Sequence, residues 1–343
     1  MSTPFMLAPM AEISHRALRE LIEGFMDDST GPGERPEYVT EMLSAGALLA
    51  GGPFEAWYLD AGPCPGRLVY QLTGSNPAQL EGAAALLDRR DCLGVDLNMG
   101  CAAPAIRRTG AGVSWMADMN RALAMVARVR TVVRRRLSVK LRLGVLPEEP
   151  RLPPDGALFE YLVRFCRALE AEGVQLITLH PRLAGEKFKR RARWEYVEAL
   201  RGELRIPVAG NGDIDSAAEL LRRAEGGRVM VGRAAVRRPW IFAEARRAGP
   251  GPVNLEETAL RFLELLARCQ PPEFHISRAR RFFTYFCDNL TWGTHVKNLL
   301  NREESLQNIE RAWRGYFEQH PEEKFVSFCP ESVLPFGIGM GAR

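Results

Sequence analysis

Short apolar runs alternate with stretches of helical periodicity over the first two thirds of the chain. The runs are 5–10 (FMLAPM), 38–42 (YVTEM), 67–73 (RLVYQLT), 93–98 (LGVDLN), 137–143 (LSVKLRL), 174–180 (VQLITLH), 206–211 (IPVAGN) and 228–232 (RVMVG). Most read as continuous apolar segments, the pattern of strands covered on both faces. Helical patterns lie between them at 79–90, at 120–136, where Leu123, Val126 and Val129 or Arg130 follow one face, at 156–171, and at 216–224, which Asp215 is placed to cap. Strand alternating with helix eight times predicts an α/β fold of the (β/α)8 TIM-barrel type. The alternative is an open doubly wound sheet, which usually has fewer strands and an early glycine-rich turn; here the first run ends in Ala8-Pro9-Met10.

Gly249-Pro250-Gly251-Pro252 reads as a linker. Beyond it, 256–270 and 277–318 read as helical, with Leu260, Leu263 and Leu266 at helical spacing. The expectation is a barrel over 1–248, a smaller all-helical domain over 253–320 and an irregular, Pro- and Gly-rich tail over 321–343. A hydrophobic fraction of 46% and a charged fraction of 26% are ordinary for a globular chain of 343 residues. The seven cysteines are an odd, scattered set without a CxxC pair, and the five histidines lack zinc spacing. We therefore expect reduced thiols, no metal and a cytoplasmic location. No apolar run is long enough to span a bilayer, and the N-terminus lacks a basic n-region, so neither a membrane partner nor a signal peptide is expected. A monomer is expected.

The active site of a parallel barrel lies at the C-terminal ends of its strands. The third run carries Gln71, the fourth leads through Asn98 to Cys101, the fifth carries Lys140 and Arg142, and the sixth ends at His180, followed by Arg182. The seventh leads into Asn211-Gly212-Asp213 and the eighth into Gly232-Arg233. Glycines after the last two strands suit a phosphate, because backbone N–H groups approach an anion closely where no Cβ intervenes. With Gln, Lys and His at the other strand ends, the pattern suits flavin mononucleotide (FMN): Gln71 can pair with the ring's polar edge, and Lys140 can offset negative charge near N1 and the C2 carbonyl. Gly110-Ala111-Gly112 is half a dinucleotide fingerprint without its third glycine and is set aside.

The motifs LAPM (7–10), VTEMLSA (39–45), QLTG (71–74), DLNMGC (96–101), VKLRLG (139–144), LHPR (179–182), GNGDI (210–214) and VGRAAV (231–236) occur in order. Together they resemble the tRNA-dihydrouridine synthase family, over most of residues 5–242. The resemblance implies FMN in the barrel, NADPH as reductant, tRNA as partner, and reduction of the uridine C5–C6 bond. Residue by residue, it implies that Pro9, Met10 and Ala11 line the flavin and that Gln71, Lys140 and His180 contact its ring or ribityl part. It further implies that Asn211, Gly212, Asp213, Gly232 and Arg233 hold the phosphate end and that Cys101 is the general acid. The chemistry requires one, since hydride addition at C6 leaves C5 needing a proton, and a thiol of pKa about 8.5 is mostly protonated at neutral pH. The family usually has Pro directly after this Cys; here Ala102 and Ala103 follow, which leaves the loop less rigid on the sequence alone.

Basic residues then acquire a reading. Arg182, Lys187, Lys189, Arg190, Arg191 and Arg193 stand against Glu186 alone after the sixth run, and Arg278, Arg280, Arg281, Lys297 and Arg302 against Asp288 alone near the C-terminus. Phosphate neutralisation supplies most RNA affinity. Asn98, Arg142, Arg182, Lys187, Lys189, Arg190, Arg278 and Arg281 are the expected substrate and tRNA contacts. Phe282, Phe283 and Phe286 read as helix core rather than base-stacking platforms, and Arg134–Arg136 as a solvated helix end. Two other functions stay open: an FMN barrel reducing a free pyrimidine or other small molecule, and an RNA-binding relative without catalysis. The basic loop and C-terminal helices argue against the first; Cys101, Lys140 and His180 argue against the second.

Overall fold

Eight parallel strands close on themselves in chain order in the computed structural model, which describes residues 4–26, 31, 34–144, 156–186, 190–246 and 251–327. They are β1 (Phe5–Leu7), β2 (Glu37–Ser44), β3 (Leu68–Thr73), β4 (Gly94–Met99), β5 (Arg136–Gly144), β6 (Leu176–Leu183), β7 (Val208–Asn211) and β8 (Val229–Val231). Each coincides with one of the eight predicted runs, and the sheet is a closed barrel, not an open one. A finer alternation lies within the runs. Successive side chains on a strand point to opposite faces. On β5, Leu137, Val139, Leu141 and Leu143 join the core between sheet and helices, while Arg136, Ser138, Lys140 and Arg142 point inward. A small apolar cluster, including Met6, Val39, Val69, Leu176 and Met230, shares the barrel interior with these polar side chains. Glu37 closes the N-terminal end in ion pairs with Arg136 (2.6 Å) and Arg228.

The helices start where short polar side chains can accept from their first free N–H groups. Asn76 caps Pro77–Asp88, and Asp118 caps Met119–Val132. Ser216, not Asp215, caps Ala217–Ala224: its backbone is extended and its Oγ accepts from Glu219 N. The Arg134–Arg136 run is not a solvated helix end. The helix stops at Val132, the Arg134 and Arg135 N–H groups donate to Asp88, and Arg136 opens β5.

Beyond residue 251 the chain is helical, as expected, but 277–318 is three helices: His275–Phe286, Gly293–Leu300 and Leu306–Gln319. Together with Leu255–Cys269 they enclose a ladder of rings. Phe262 stacks on Phe282 at 3.8 Å, Phe282 on Phe286 at 4.8 Å, and Phe283 meets Trp313 at 5.0 Å. These rings belong to the same continuous apolar core as the outer layer of the barrel. The start of the expected irregular tail is ordered: β10 (Phe325–Val326) pairs antiparallel with β9 (Val253–Asn254). Residues 328–343 lie outside the described residues. Among the described residues no helix is long and apolar enough to cross a membrane.

Candidate active site

A cavity of about 810 Å³ opens at the C-terminal ends of the strands. Its wall brings together Pro9 and Met10 after β1, Asn98 and Cys101 from β4 and its loop, Lys140 and Arg142 on β5, and His180 and Arg182 on β6. Asn211, Gly212, Asp213, Gly232 and Arg233 complete it from β7 and β8. The inward positions of neighbouring strands lie side by side: Asp96 is level with Ser138, Asn98 with Lys140, Lys140 with Thr178, and Arg142 with His180.

Beneath the cavity floor runs a buried chain of hydrogen bonds. Ser138 Oγ donates to Asp96 Oδ1 (2.6 Å), and Gln71 Nε2 donates to Asp96 Oδ2 (2.7 Å). Asn98 Nδ2 donates to Gln71 Oε1 (2.8 Å), and Asn98 Oδ1 accepts from Cys101 N (2.9 Å). Each member orients the next, so the Asn98 amide is fixed by its partners. The Cys101 loop is held at two further points. Val113 N donates to Cys101 O (3.0 Å), and Arg142 Nε donates to Gly100 O (2.9 Å). Gly112 makes the first possible: its φ is +61°, and a Cβ there would lie 2.4 Å from Cys101 O. The loop is therefore clamped without the proline that Ala102 replaces.

Cations dominate the cavity. Burial, reinforced by Arg142, lowers Lys140 to about 8, although Asp96 and Cys101 pull the other way. Among the described residues Lys140 Nζ makes no hydrogen bond or salt bridge. Burial and then Lys140, Arg142, Arg182 and Arg233 hold His180 well below its ordinary range, so it is neutral. Arg182 Nη1 lies 2.8 Å from His180 Nε2, and because a guanidinium only donates, the imidazole proton is assigned to Nδ1. Burial raises Asp96 despite its bonds to Ser138 and Gln71.

Residues 6–329 match the dihydrouridine synthase (Dus) family. The chain belongs to the dihydrouridine synthase family. It is 31% identical over 319 residues to a probable tRNA-dihydrouridine synthase of Rhizobium leguminosarum bv. phaseoli, covering 90% of this chain and 94% of that one. It is 26% identical over 323 residues to tRNA-dihydrouridine synthase B of Xanthomonas axonopodis pv. citri, covering 91% and 92%. Among solved structures, a 2-naphthoyl-CoA reductase bound to 2-naphthoyl-CoA superposes with a TM-score of 0.50 at 11% identity, over 72% of this chain and 50% of that one, a likeness of fold.

Several expected contacts stand elsewhere. Arg182 is 1% exposed and its guanidinium is committed to Asp213 (2.6 and 2.7 Å), His180 and Arg190 O, so it orders the cavity wall. Arg278 is 3% exposed, buried against Glu41 and Gln270, and is no surface contact. Arg281 is exposed but paired with Glu12 (2.9 Å). Gln71 is fully buried under the wall, where it reaches the cavity only through Asn98. Asp213 accepts from Arg182 and Ala192 N. Ala11 is on an exposed turn, Arg190 is exposed on the loop after β6, and Lys187 and Lys189 lie outside the described residues. Arg193 is paired with Glu186 (2.6 Å), whose carboxyl it holds below the ordinary range.

The sequence reading missed Asp96, Ser138, Glu41 and Arg107. The first two were visible as polar inward positions within apolar runs. Arg107, exposed on the short helix Pro104–Arg108, lines the cavity mouth, and no periodicity announces so short an element. The six described cysteines are free thiols, and Cys101 is half-buried at the cavity while Cys92, Cys166, Cys269 and Cys287 are buried.

Proposed function

We propose that this protein reduces the C5–C6 double bond of uridine in tRNA to 5,6-dihydrouridine, with FMN in the cavity, NADPH as reductant and Cys101 as proton donor. The observation that carries this reading is Lys140. Lys140 is half-buried in the cavity wall, and its ammonium, without a hydrogen bond or salt bridge among the described residues, is available to an anionic or strongly accepting ligand. The rest of the wall fits a flavin. The cavity volume falls in the range of small-molecule sites, about 300–1,000 Å³. A Cβ on Gly232 would face only Ala8 Cβ and Met10 Sδ, each at 3.7 Å, so the bare backbone leaves space for a ligand there. Lys140 would meet the electron-rich N1 and C2 edge, neutral His180 would donate from Nδ1, and Asn211, Gly212, Gly232 and Arg233 would receive the phosphate.

When bound, the flavin supplies to C6 of the uracil the hydride it has taken from NADPH. The protein's own groups do the rest. Asn98, Val113 and Arg142 hold the Cys101 loop. The Cys101 thiol places its proton on C5 and is reprotonated from water. The net change is uridine, NADPH and a proton to dihydrouridine and NADP⁺. Residues 253–320 would form the second tRNA-facing unit beside the barrel.

The test is to load the purified chain with FMN, add tRNA and NADPH, and measure dihydrouridine by mass spectrometry, with free uridine in parallel. Cys101→Ala should keep flavin and tRNA binding and lose most turnover, a factor on the order of 10²–10⁴ for a general acid. A chain that cannot be loaded with FMN contradicts the cofactor. Near-normal turnover by Cys101→Ala removes it as the acid, and equal turnover of free uridine favours a small-molecule reductase.

A further inference from the structure

Helix His275–Phe286 carries two arginines that reach back to the barrel. Arg281 pairs with the Glu12 side chain at 2.9 Å. Arg278 Nη1 lies 3.3 Å from Glu41 Oε2, with its guanidinium over the Phe274 ring at 4.9 Å and the Tyr58 ring at 5.5 Å. Glu41 is an interior residue of β2, and its other oxygen, Oε1, accepts from Glu12 N at 2.5 Å. Glu12 has φ +62°, a left-handed conformation that a non-glycine residue holds only when its surroundings impose it. It is the corner of a tight turn in which Ile13 N and Ser14 N both donate to Met10 O, and Ser14 Oγ bonds both polar groups of the Met10 backbone. Pro9 and Met10, which lead into that turn, line the cavity.

We propose that Arg278 is a positioning residue: acting through Glu41, it holds the turn at residues 9–14 against the cavity, so that the C-terminal helices set the shape of the cofactor-facing wall. Without Arg278, the Glu41 carboxylate would be buried with Arg19 as its remaining nearby cation. Arg19 is already engaged with Ser14 O (2.9 Å) and Asp60 O (2.7 Å). Glu41 would then turn toward water or take up a proton, and Glu12 N would lose its acceptor. Arg278, which the charge pattern offers as an RNA contact, thus acts on the other side of the wall.

The cofactor part of this inference rests on the proposed flavin; the effect on the turn does not, and the two are read separately. Hydrogen–deuterium exchange on the full-length chain without cofactor reports the Glu12 amide directly. Arg278→Met should speed exchange across residues 10–15 by about tenfold or more, the order expected for losing a hydrogen bond to a charged group. FMN should bind more weakly by a similar factor, while the salt dependence of tRNA affinity stays as in the wild type. Glu41→Gln keeps an oxygen for Glu12 N but removes the charge that needs Arg278. The double variant should therefore recover slow exchange and FMN affinity relative to Arg278→Met. Unchanged exchange in Arg278→Met overturns the proposal, as does a loss confined to the salt slope of tRNA binding, which would make Arg278 an RNA contact. If Arg278→Met fails to fold, Arg278→Lys and Glu41→Ala carry the test, and wild-type exchange in both overturns it. Failure of the wild type to bind FMN sinks the functional reading and leaves the exchange result standing.

Discussion

Lys140 occupies a position that folding alone gives no reason to make cationic. Its neighbours along the inward face of β5 have partners: Arg136 has Glu37, Ser138 has Asp96, and Arg142 has the Gly100 carbonyl. Lys140 makes no hydrogen bond or salt bridge among the described residues, and burial and the like charge of Arg142 outweigh the pull of Asp96 and Cys101 and lower it from 10.5 to about 8. A shift of that size corresponds to a penalty on the order of 3 kcal/mol for holding the charge in the folded state. The sign follows from linkage. The folded value lies below the unfolded one, so the penalty is complete below about 8 and falls away as pH rises toward the unfolded value. Lys140→Met should therefore raise Tm at neutral pH, and the gain should shrink above about pH 8, while flavin affinity falls. Thermal melts near neutral and near about pH 9, with a flavin titration, check this. A lower Tm at neutral pH would mean that the ammonium stabilises the empty protein and that Lys140 is not held for a ligand.

At the scale of elements, the loop after β4 shows what sequence can and cannot reveal. Gly112 first reads as half of a dinucleotide fingerprint. In the fold it serves Cys101: its φ of +61° and missing side chain let the Val113 N–H reach the Cys101 carbonyl. Gly112→Ala forces a Cβ to within 2.4 Å of that oxygen. It should cost roughly 1–3 kcal/mol of stability and shift the Cys101 loop. Turnover should fall at an FMN affinity close to wild type; equal turnover would show that the clamp does not set the Cys101 position. The strands themselves were legible because short continuous apolar runs alternating with helical periodicity are local signals. So were the helix starts, except where two capping residues adjoin, as Asp215 and Ser216 do, and only backbone geometry decides between them. The polar relay from Ser138 to Cys101 was not legible. Its members come from three strands, and their contacts follow from barrel register, which no single segment encodes.

Across the whole molecule, the same limit applies to charge. The sequence shows two arginine-rich segments but not which arginines find partners. Folding commits Arg182 to Asp213, Arg193 to Glu186, Arg278 to Glu41 and Arg281 to Glu12, so much of the apparent RNA-binding charge holds the protein together. The Arg107 and Arg108 side chains, in contrast, are exposed and make no hydrogen bond or ion pair among the described residues. They sit on the helix that follows Cys101, and Arg107 lines the cavity mouth. On the proposed reading, a uridine drawn into the cavity leaves its flanking phosphates at that mouth, where a base extruded for chemistry must be held by its backbone. Each phosphate contact adds roughly 0.7–0.9 to the slope of log affinity against log salt. Arg107→Glu with Arg108→Glu should therefore weaken tRNA binding and flatten that slope by about 1–2. Arg281→Glu, which breaks an internal ion pair, should change the slope little. Filter binding over a salt series separates the two. An unchanged slope in the Arg107 and Arg108 variant would move the RNA path away from the β4 loop, toward the loop after β6 that carries Arg190 and Arg191.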